Sequence, residues 1–208
     1  LDTELARLKK RGLDPTKTIC LFAGLLERCY DLKSVVAAAE QLESQHPGKF
    51  QFVICGDGSK ANELKRLAER MPSVLMLGWV QPTTIAAAMS VASIGLATYT
   101  RGAPQSLPNK PFEYMAGSLA VVTSLPGELP RLLDKNHCGV SYRAGDANSL
   151  ADSITRVAAD PPSLAAMQQR AYALFDARFR VERIRVQLAD YLVAMAAAHQ
   201  SQTQLVAA

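Results

Sequence analysis

Histidine and aromatic residues are scarce in this chain of 208 residues: three histidines, one tryptophan and 6% aromatic residues in all. His46, His137 and His199 fall in expected loops or in the C-terminal tail, away from the strand ends, so none is given a catalytic role. Few rings are available to stack bases, and no run of five like charges occurs. The net charge of +4 therefore suits a handful of basic residues serving an anionic small molecule better than a nucleic-acid groove, and no nucleic-acid partner is expected. Cys20, Cys29, Cys55 and Cys138 match no zinc or redox spacing, which leaves buried or incidental thiols in a reducing compartment. No His, Asp and Glu cluster has metal-ligand spacing, so neither metal nor cofactor is expected. Long apolar runs are missing too, which excludes a bilayer span. The charged segment Leu1–Arg11 has no signal-peptide core, and the expected location is cytoplasmic.

What the sequence does contain is a regular alternation of two periods. Short continuous apolar runs at Thr18–Ala23, Phe50–Cys55, Val74–Leu77, Ile94–Ala97, Leu119–Thr123 and Gly139–Tyr142 read as strands apolar on both faces. Between them lie amphipathic helical stretches at Leu32–Leu42, Asn62–Arg70, Pro82 to about Ala92, and Glu128–Leu133, and three more finish the chain: Ala147–Ala159, Pro161–Leu174 and Val181–Ala198. Such alternation predicts an α/β, doubly wound, Rossmann-like parallel sheet of about six strands with helices on both faces. Residues 1–16 read as an N-terminal helix or linker, 17–178 as the sheet domain, and 179–208 as a C-terminal helix and tail. Three strands end at glycine, Gly24, Gly56 and Gly78. Each alone fits a tight turn, but together at one sheet edge they favour a ligand crevice. Gly56-Asp57-Gly58-Ser59 resembles part of a dinucleotide fingerprint, but Asn62 stands where the third glycine belongs. A turn with Ser59 capping the next helix fits it better.

The most specific signal is Ser106-Leu107-Pro108-Asn109-Lys110-Pro111-Phe112-Glu113-Tyr114-Met115-Ala116-Gly117, followed by the run Leu119–Thr123. It reads as a loop, a helix opened by Ser106 or Asn109, a glycine stop and a buried strand. Unpaired N–H groups and the macrodipole make a helix N-terminus an anion site. Lys110 is misplaced there unless a bound diphosphate offsets the penalty, and Glu113, one turn inside, can bond the hydroxyls of whatever carries the phosphate. A solvated lysine and a dipole-matched carboxylate are the plainer alternatives.

These motifs resemble the C-terminal, donor-binding half of group-1 retaining glycosyltransferases of GT-B architecture. The resemblance runs from about Thr18 to Tyr191. It rests on Phe22-Ala23-Gly24, on Val53-Ile54-Cys55-Gly56-Asp57-Gly58, on Val74 to Val80, on Met89 to Tyr99, on Phe112 to Gly117 with Val121-Val122, and on Phe179 to Tyr191. The wording of Tyr30-Asp31-Leu32 and Pro108-Asn109-Lys110 looks closest to enzymes of bacterial surface-polysaccharide assembly. The resemblance implies that the ligand is a nucleotide-diphospho-sugar and that Glu113 bonds its ribose. It implies that Gln105, Ser106 and Leu107 meet the sugar and phosphates, with Asn109 beside them. Gly24 and Gly56 would let backbone approach, and Gly78, Trp79 and Val80 would border the base.

The sequence also departs from that pattern. Gln105 stands where the family has the first of two glutamates, and Leu25 and Tyr30 stand where it has an arginine and a lysine. Arg28 and Lys110 are the expected replacement cations, with Arg101 behind them, and Glu113, Gln105 and Lys110 form the expected catalytic set. Glu128 is a weaker site candidate. The resemblance further implies an N-terminal acceptor domain as partner, with this chain the donor half alone and inactive by itself, and any membrane association left to that other half. Val181, Ile184, Leu188, Leu192 and Met195 form an apolar stripe expected to pack on the same domain or to pair two copies. A nucleotide-sugar epimerase and a non-catalytic nucleotide-sugar-binding module are the alternative readings.

Overall fold

The computed structural model describes residues 1–206, with side chains placed through residue 196. Six parallel strands form one sheet: β1 (Thr18–Ala23), β2 (Phe50–Cys55), β3 (Val74–Gly78), β4 (Ile94–Ala97), β5 (Ala120–Thr123) and β6 (Gly139–Ser141). Their spatial order is β3-β2-β1-β4-β5-β6. That is the doubly wound, Rossmann-like arrangement expected from the sequence, and the order reverses between β1 and β4. The helices are α1 (Asp2–Lys10), α2 (Leu32–Gln45), α3 (Ala61–Ala68), α4 (Pro82–Met89), α5 (Asn109–Ala116), α6 (Glu128–Lys135), α7 (Ala147–Val157), α8 (Pro161–Arg178) and α9 (Val181–Val206).

The strands are almost wholly apolar because both faces are covered, with Thr18, Gln51, Thr123 and Ser141 as the polar exceptions. Cys20 and Phe22 of β1, with Phe52 and Ile54 of β2, point into a core shared with Val35 and Val36 of α2, Leu64 of α3 and Ile154 of α7. Ile19, Leu21 and Val53 point to the other face, into a core shared with Leu8 of α1, Ala87 of α4, Tyr114 of α5, Leu129 of α6 and Ala171 of α8. Each buried Phe, Leu or Ile contributes about 1.5–3 kcal/mol relative to exposure. Two late helices are started by side chains: Asp146 accepts from Ser149 N at 2.9 Å and Asp160 from Ser163 N at 3.0 Å, caps typically worth about 1 kcal/mol.

The N-terminal segment is packed rather than a free linker. Leu8 and Leu13 are buried, Thr84 Oγ1 donates to Glu4 Oε2 at 2.9 Å, and Arg11 donates to the Leu77 carbonyl at 2.9 Å. At the other end, Val181, Ile184, Leu188, Leu192 and Met195 of α9 are all exposed. The stripe thus does not pack on its own domain. Residues 207–208 of the expected tail lie outside the described residues, as does the side chain of His199. All four cysteines are free. Burial pushes the Cys138 thiol up to about 11 and that of Cys55 to about 12, so both stay protonated at neutral pH. No helix among the described residues is long and apolar enough to cross a membrane.

Candidate functional site

The carboxyl ends of β1 and β4 part at the point where the strand order reverses, and α5 closes over the gap. A cleft of about 350 Å³ opens there, lined by Ala23, Gly24, Tyr30, Ile85, Tyr99, Pro108, Asn109, Lys110 and Glu113. The start of α5 therefore faces the same crevice as the turn at Gly24.

Tyr114 fixes α5 in this position. It is fully buried, its hydroxyl accepts from Ala23 N at 3.1 Å, and it donates to the Leu96 carbonyl at 3.2 Å. One side chain thus ties the helix to the ends of both strands. Its ring fits because residue 95 in β4 is glycine: a Cβ there would stand 2.3 Å from Tyr114 Cγ.

Lys110 is a buried cation, 8% exposed. Its Nζ donates to the Ala23 carbonyl at 2.6 Å and lies 4.9 Å from the Phe22 ring centroid and 4.7 Å from that of Tyr30. Ring faces attract a cation in such a setting by up to about 2 kcal/mol. Burial still pushes the Lys110 pKa below its usual value, with the Glu113 carboxylate pulling the other way. An ammonium has three donors, and one hydrogen bond within the protein is recorded for this one.

No side chain caps α5, which opens at Pro108. Neither Ser106 nor Asn109 performs the expected capping, so the first-turn amides have no side-chain acceptor where the helix meets the cleft. Nor does Ser59 cap α3. Its amide and hydroxyl donate instead to Glu27, at 2.9 and 2.6 Å.

The expected site residues divide among several places. Gly24, Lys110, Asn109 and Glu113 meet in the cleft. Gly56 and Gly78 follow Gly24 along the sheet edge, with Gly24 N bonded to Cys55 O at 2.9 Å and Gly56 N to Gly78 O at 2.7 Å. Gly56, Gly78 and the exposed Trp79 line a separate hollow of about 330 Å³, while Val80 packs against the core on the α1 and α4 side. Arg28 lines a small cavity of about 180 Å³ with Lys33, Lys60, Glu63 and Thr100. Tyr30 is common to that cavity and the cleft. Gln105, Ser106 and Leu107 do not line the cleft, and neither do Arg101 and Glu128. Sequence reasoning overlooked Tyr99 and Ile85. The signal for Tyr99 was its place two residues past β4, at the carboxyl edge where ligands bind in such sheets. Among the described residues no three His, Cys, Asp or Glu side chains cluster closely enough to hold a metal ion.

A parallel sheet reversed at a cleft that holds a buried cation and an open helix start places an anion-favouring crevice at the switch point of a doubly wound α/β domain. Comparison with known proteins makes this specific. The family model described as glycosyl transferases group 1 matches residues 17–160, and the chain belongs to that family. No curated protein matches the chain. Among solved structures, sucrose-phosphate synthase from Thermosynechococcus elongatus is 23% identical with a TM-score of 0.74, over 95% of this chain and 49% of that one. HepE of Anabaena, in complex with UDP, is 20% identical with a TM-score of 0.76, over 92% of this chain and 53% of that one. The C-terminal domain of the group 1 family protein LpcC from Francisella tularensis is 14% identical with a TM-score of 0.70, over 86% of this chain and 93% of that domain. The chain thus spans about half the length of the first two.

Proposed function

We propose that the cleft binds a nucleoside-diphosphate sugar and serves as the donor site of a retaining glycosyl transfer. In that reaction the bond from the anomeric carbon to the phosphate oxygen breaks, and the sugar joins an acceptor hydroxyl on the same face. The nucleoside diphosphate gathers negative charge as it leaves. Lys110 and the amides at the start of α5 stabilise that charge in a water-poor site without a metal. Gly24 lets the backbone lie against the phosphates, and Glu113 accepts hydrogen bonds from the ribose hydroxyls. The base points toward Gly78–Val80, from which α4 brings Ile85 to the cleft. Gln105 and Ser106, on the loop that leads into α5 and beyond the cleft lining, are assigned to the transferred sugar.

One observation carries this reading: an ammonium buried beside the open helix start, facing the turn at Gly24. The UDP bound by the HepE structure supports a uridine nucleotide as the first one to try. The acceptor belongs to an N-terminal domain in the full enzyme, which works in the cytoplasm on a surface polysaccharide or lipopolysaccharide. Titration calorimetry with UDP, GDP and ADP tests the site. At least one is expected to bind, and Glu113→Ala is expected to weaken it about tenfold through loss of a charge-assisted hydrogen bond. Equal affinity in wild type and variant would remove Glu113 from the site.

A further inference from the structure

Lys110 is buried without a counter-ion. None of the ion pairs among the described residues includes it, and its one hydrogen bond among them goes to the Ala23 carbonyl at 2.6 Å. Burial lowers its pKa, and the Glu113 carboxylate and the Cys29 thiol pull against that without bonding to it. A charge taken out of water needs compensation. Two ring faces supply part of it, those of Phe22 at 4.9 Å and Tyr30 at 4.7 Å. The negative face of a ring attracts a cation and leaves its N–H donors free. The charge is thus held in place but not neutralised, as a paired carboxylate would neutralise it.

The two rings stand at 74° to one another with centroids 5.3 Å apart, so their faces make a corner for the ammonium. Phe22 belongs to β1 and is fully buried. Tyr30 is half-buried, on the connection from β1 to α2, and lines the cleft. That connection is fixed at the switch point. Thr100 N donates to Cys29 O at 2.9 Å and Asp31 N to Thr98 O at 3.2 Å, which makes Tyr30 and Tyr99 an isolated antiparallel bridge. The Tyr30 ring also packs against that of Tyr99, with centroids 5.0 Å apart. Backbone and ring packing therefore aim one Tyr30 face at a cation on a different element, α5.

We infer that Tyr30 is a positioning residue of the donor site: its ring holds the Lys110 ammonium at the cleft, where the cation meets the phosphates of the ligand. The inference rests on the donor-site reading above and adds to it a residue that acts through Lys110. A lysine ammonium rides on a flexible four-carbon stem. Without the Tyr30 face it turns to water or to Glu113.

Tyr30→Leu and Tyr30→Phe, each titrated with UDP from neutral pH toward 10.5, test this. Tyr30→Leu removes the ring, and UDP affinity at neutral pH is expected to fall about tenfold, as for a lost cation–ring contact in a desolvated setting. The alkaline decline of affinity that belongs to Lys110 is expected to flatten with it, because a cation away from the phosphates is no longer linked to their binding. Tyr30→Phe keeps the ring and gives up only the phenol beside the Tyr99 hydroxyl. It is expected to restore affinity to within about threefold of wild type, together with the wild-type pH profile. In wild type itself, proton NMR should find the Lys110 Hε signals shifted upfield by the rings both in the free protein and in the UDP complex.

A Tyr30→Leu protein that binds UDP as wild type does would overturn the role. So would a tenfold loss with the wild-type pH profile, because Tyr30 would then act on the ligand or the loop and not through Lys110. Equal losses in both variants would overturn it by assigning the effect to the phenol. Loss of the upfield shift on UDP binding would do so without any variant, since the ammonium would then leave the ring to meet the ligand. If wild type binds none of UDP, GDP and ADP, the donor-site reading fails first and takes the inference with it.

Discussion

A Cβ on residue 24 would stand 1.7 Å from Lys110 Nζ. The ammonium reaches the Ala23 carbonyl and the faces of Phe22 and Tyr30 only because residue 24 has no side chain. Its φ of +148° is also one that glycine adopts freely and L residues rarely do. The turn after β1 and the cation on α5 thus depend on each other.

Gly24→Ala is expected to expel the ammonium and strain the turn at once. Stability should fall by about 1–3 kcal/mol from the backbone alone, and UDP affinity by more than about tenfold, since the displaced cation no longer faces the phosphates. Denaturant unfolding and calorimetry measure the two effects separately. A variant that loses stability but binds UDP as wild type does would show that Lys110 does not touch the ligand.

Lys110 should also leave a signature in pH. Burial sets its folded pKa below the ordinary 10.5 of an unfolded lysine. Between those values the unfolded chain holds a proton that the native one has shed, so stability rises with pH in that window. Below it, the buried charge costs stability, and Lys110→Met should melt no lower than wild type. Ligand binding runs the opposite way, because an anion favours the charged form. UDP affinity should therefore fall as pH climbs through the depressed pKa toward 10.5, with proton uptake on binding. Calorimetry in buffers of different ionisation enthalpy reads that uptake. The Lys110-linked part of the pH dependence should vanish in Lys110→Met, and identical profiles in both proteins would contradict the assignment.

Much of this was readable from the sequence, for a physical reason. Strands buried on both faces leave continuous apolar runs, and β1, β2 and β4 begin and end where those runs do. Helix ends were less legible: α4 stops at Met89 and α9 continues to Val206, because neither end carries a sequence stop signal. Ser59 looked like a cap, but Glu27, 32 positions away, takes its hydrogen bonds. The same limit applies at the site. Gly24, Lys110 and Glu113 belong to a local pattern, a strand end and a helix start, and meet as that pattern implies. Gln105 to Leu107 lie in an aperiodic loop whose path no periodicity dictates, and they do not line the cleft. Tyr99 reaches the cleft lining only through ring packing on Tyr30, which no local pattern announces.

The pairing of Gly95 with Tyr114 predicts a purely structural effect. Adding one methyl at residue 95 brings it within 2.3 Å of Tyr114 Cγ, inside a fully buried interface. The ring cannot retreat without breaking its bonds to Ala23 N and Leu96 O. Gly95→Ala should cost about 1–3 kcal/mol as overpacking, and more if both hydrogen bonds are lost. Denaturant midpoints measure this. A change below about 0.5 kcal/mol, the range of ordinary surface substitutions, would mean that α5 shifts freely and does not fix the cleft.

The exposed stripe on α9 makes the contrary prediction. Leu188 and Leu192 are 54% and 56% exposed, and neither belongs to the two buried cores. Replacing both with glutamate should leave the melting temperature within about 2 °C of wild type, because surface changes usually stay within about 0.5 kcal/mol and 1 kcal/mol moves a domain of this size by about 2–4 °C. The measurement is made at low protein concentration, so that contacts between copies do not contribute. A drop well beyond that range would mean that the helix folds back onto its own domain in solution, as the sequence alone had allowed.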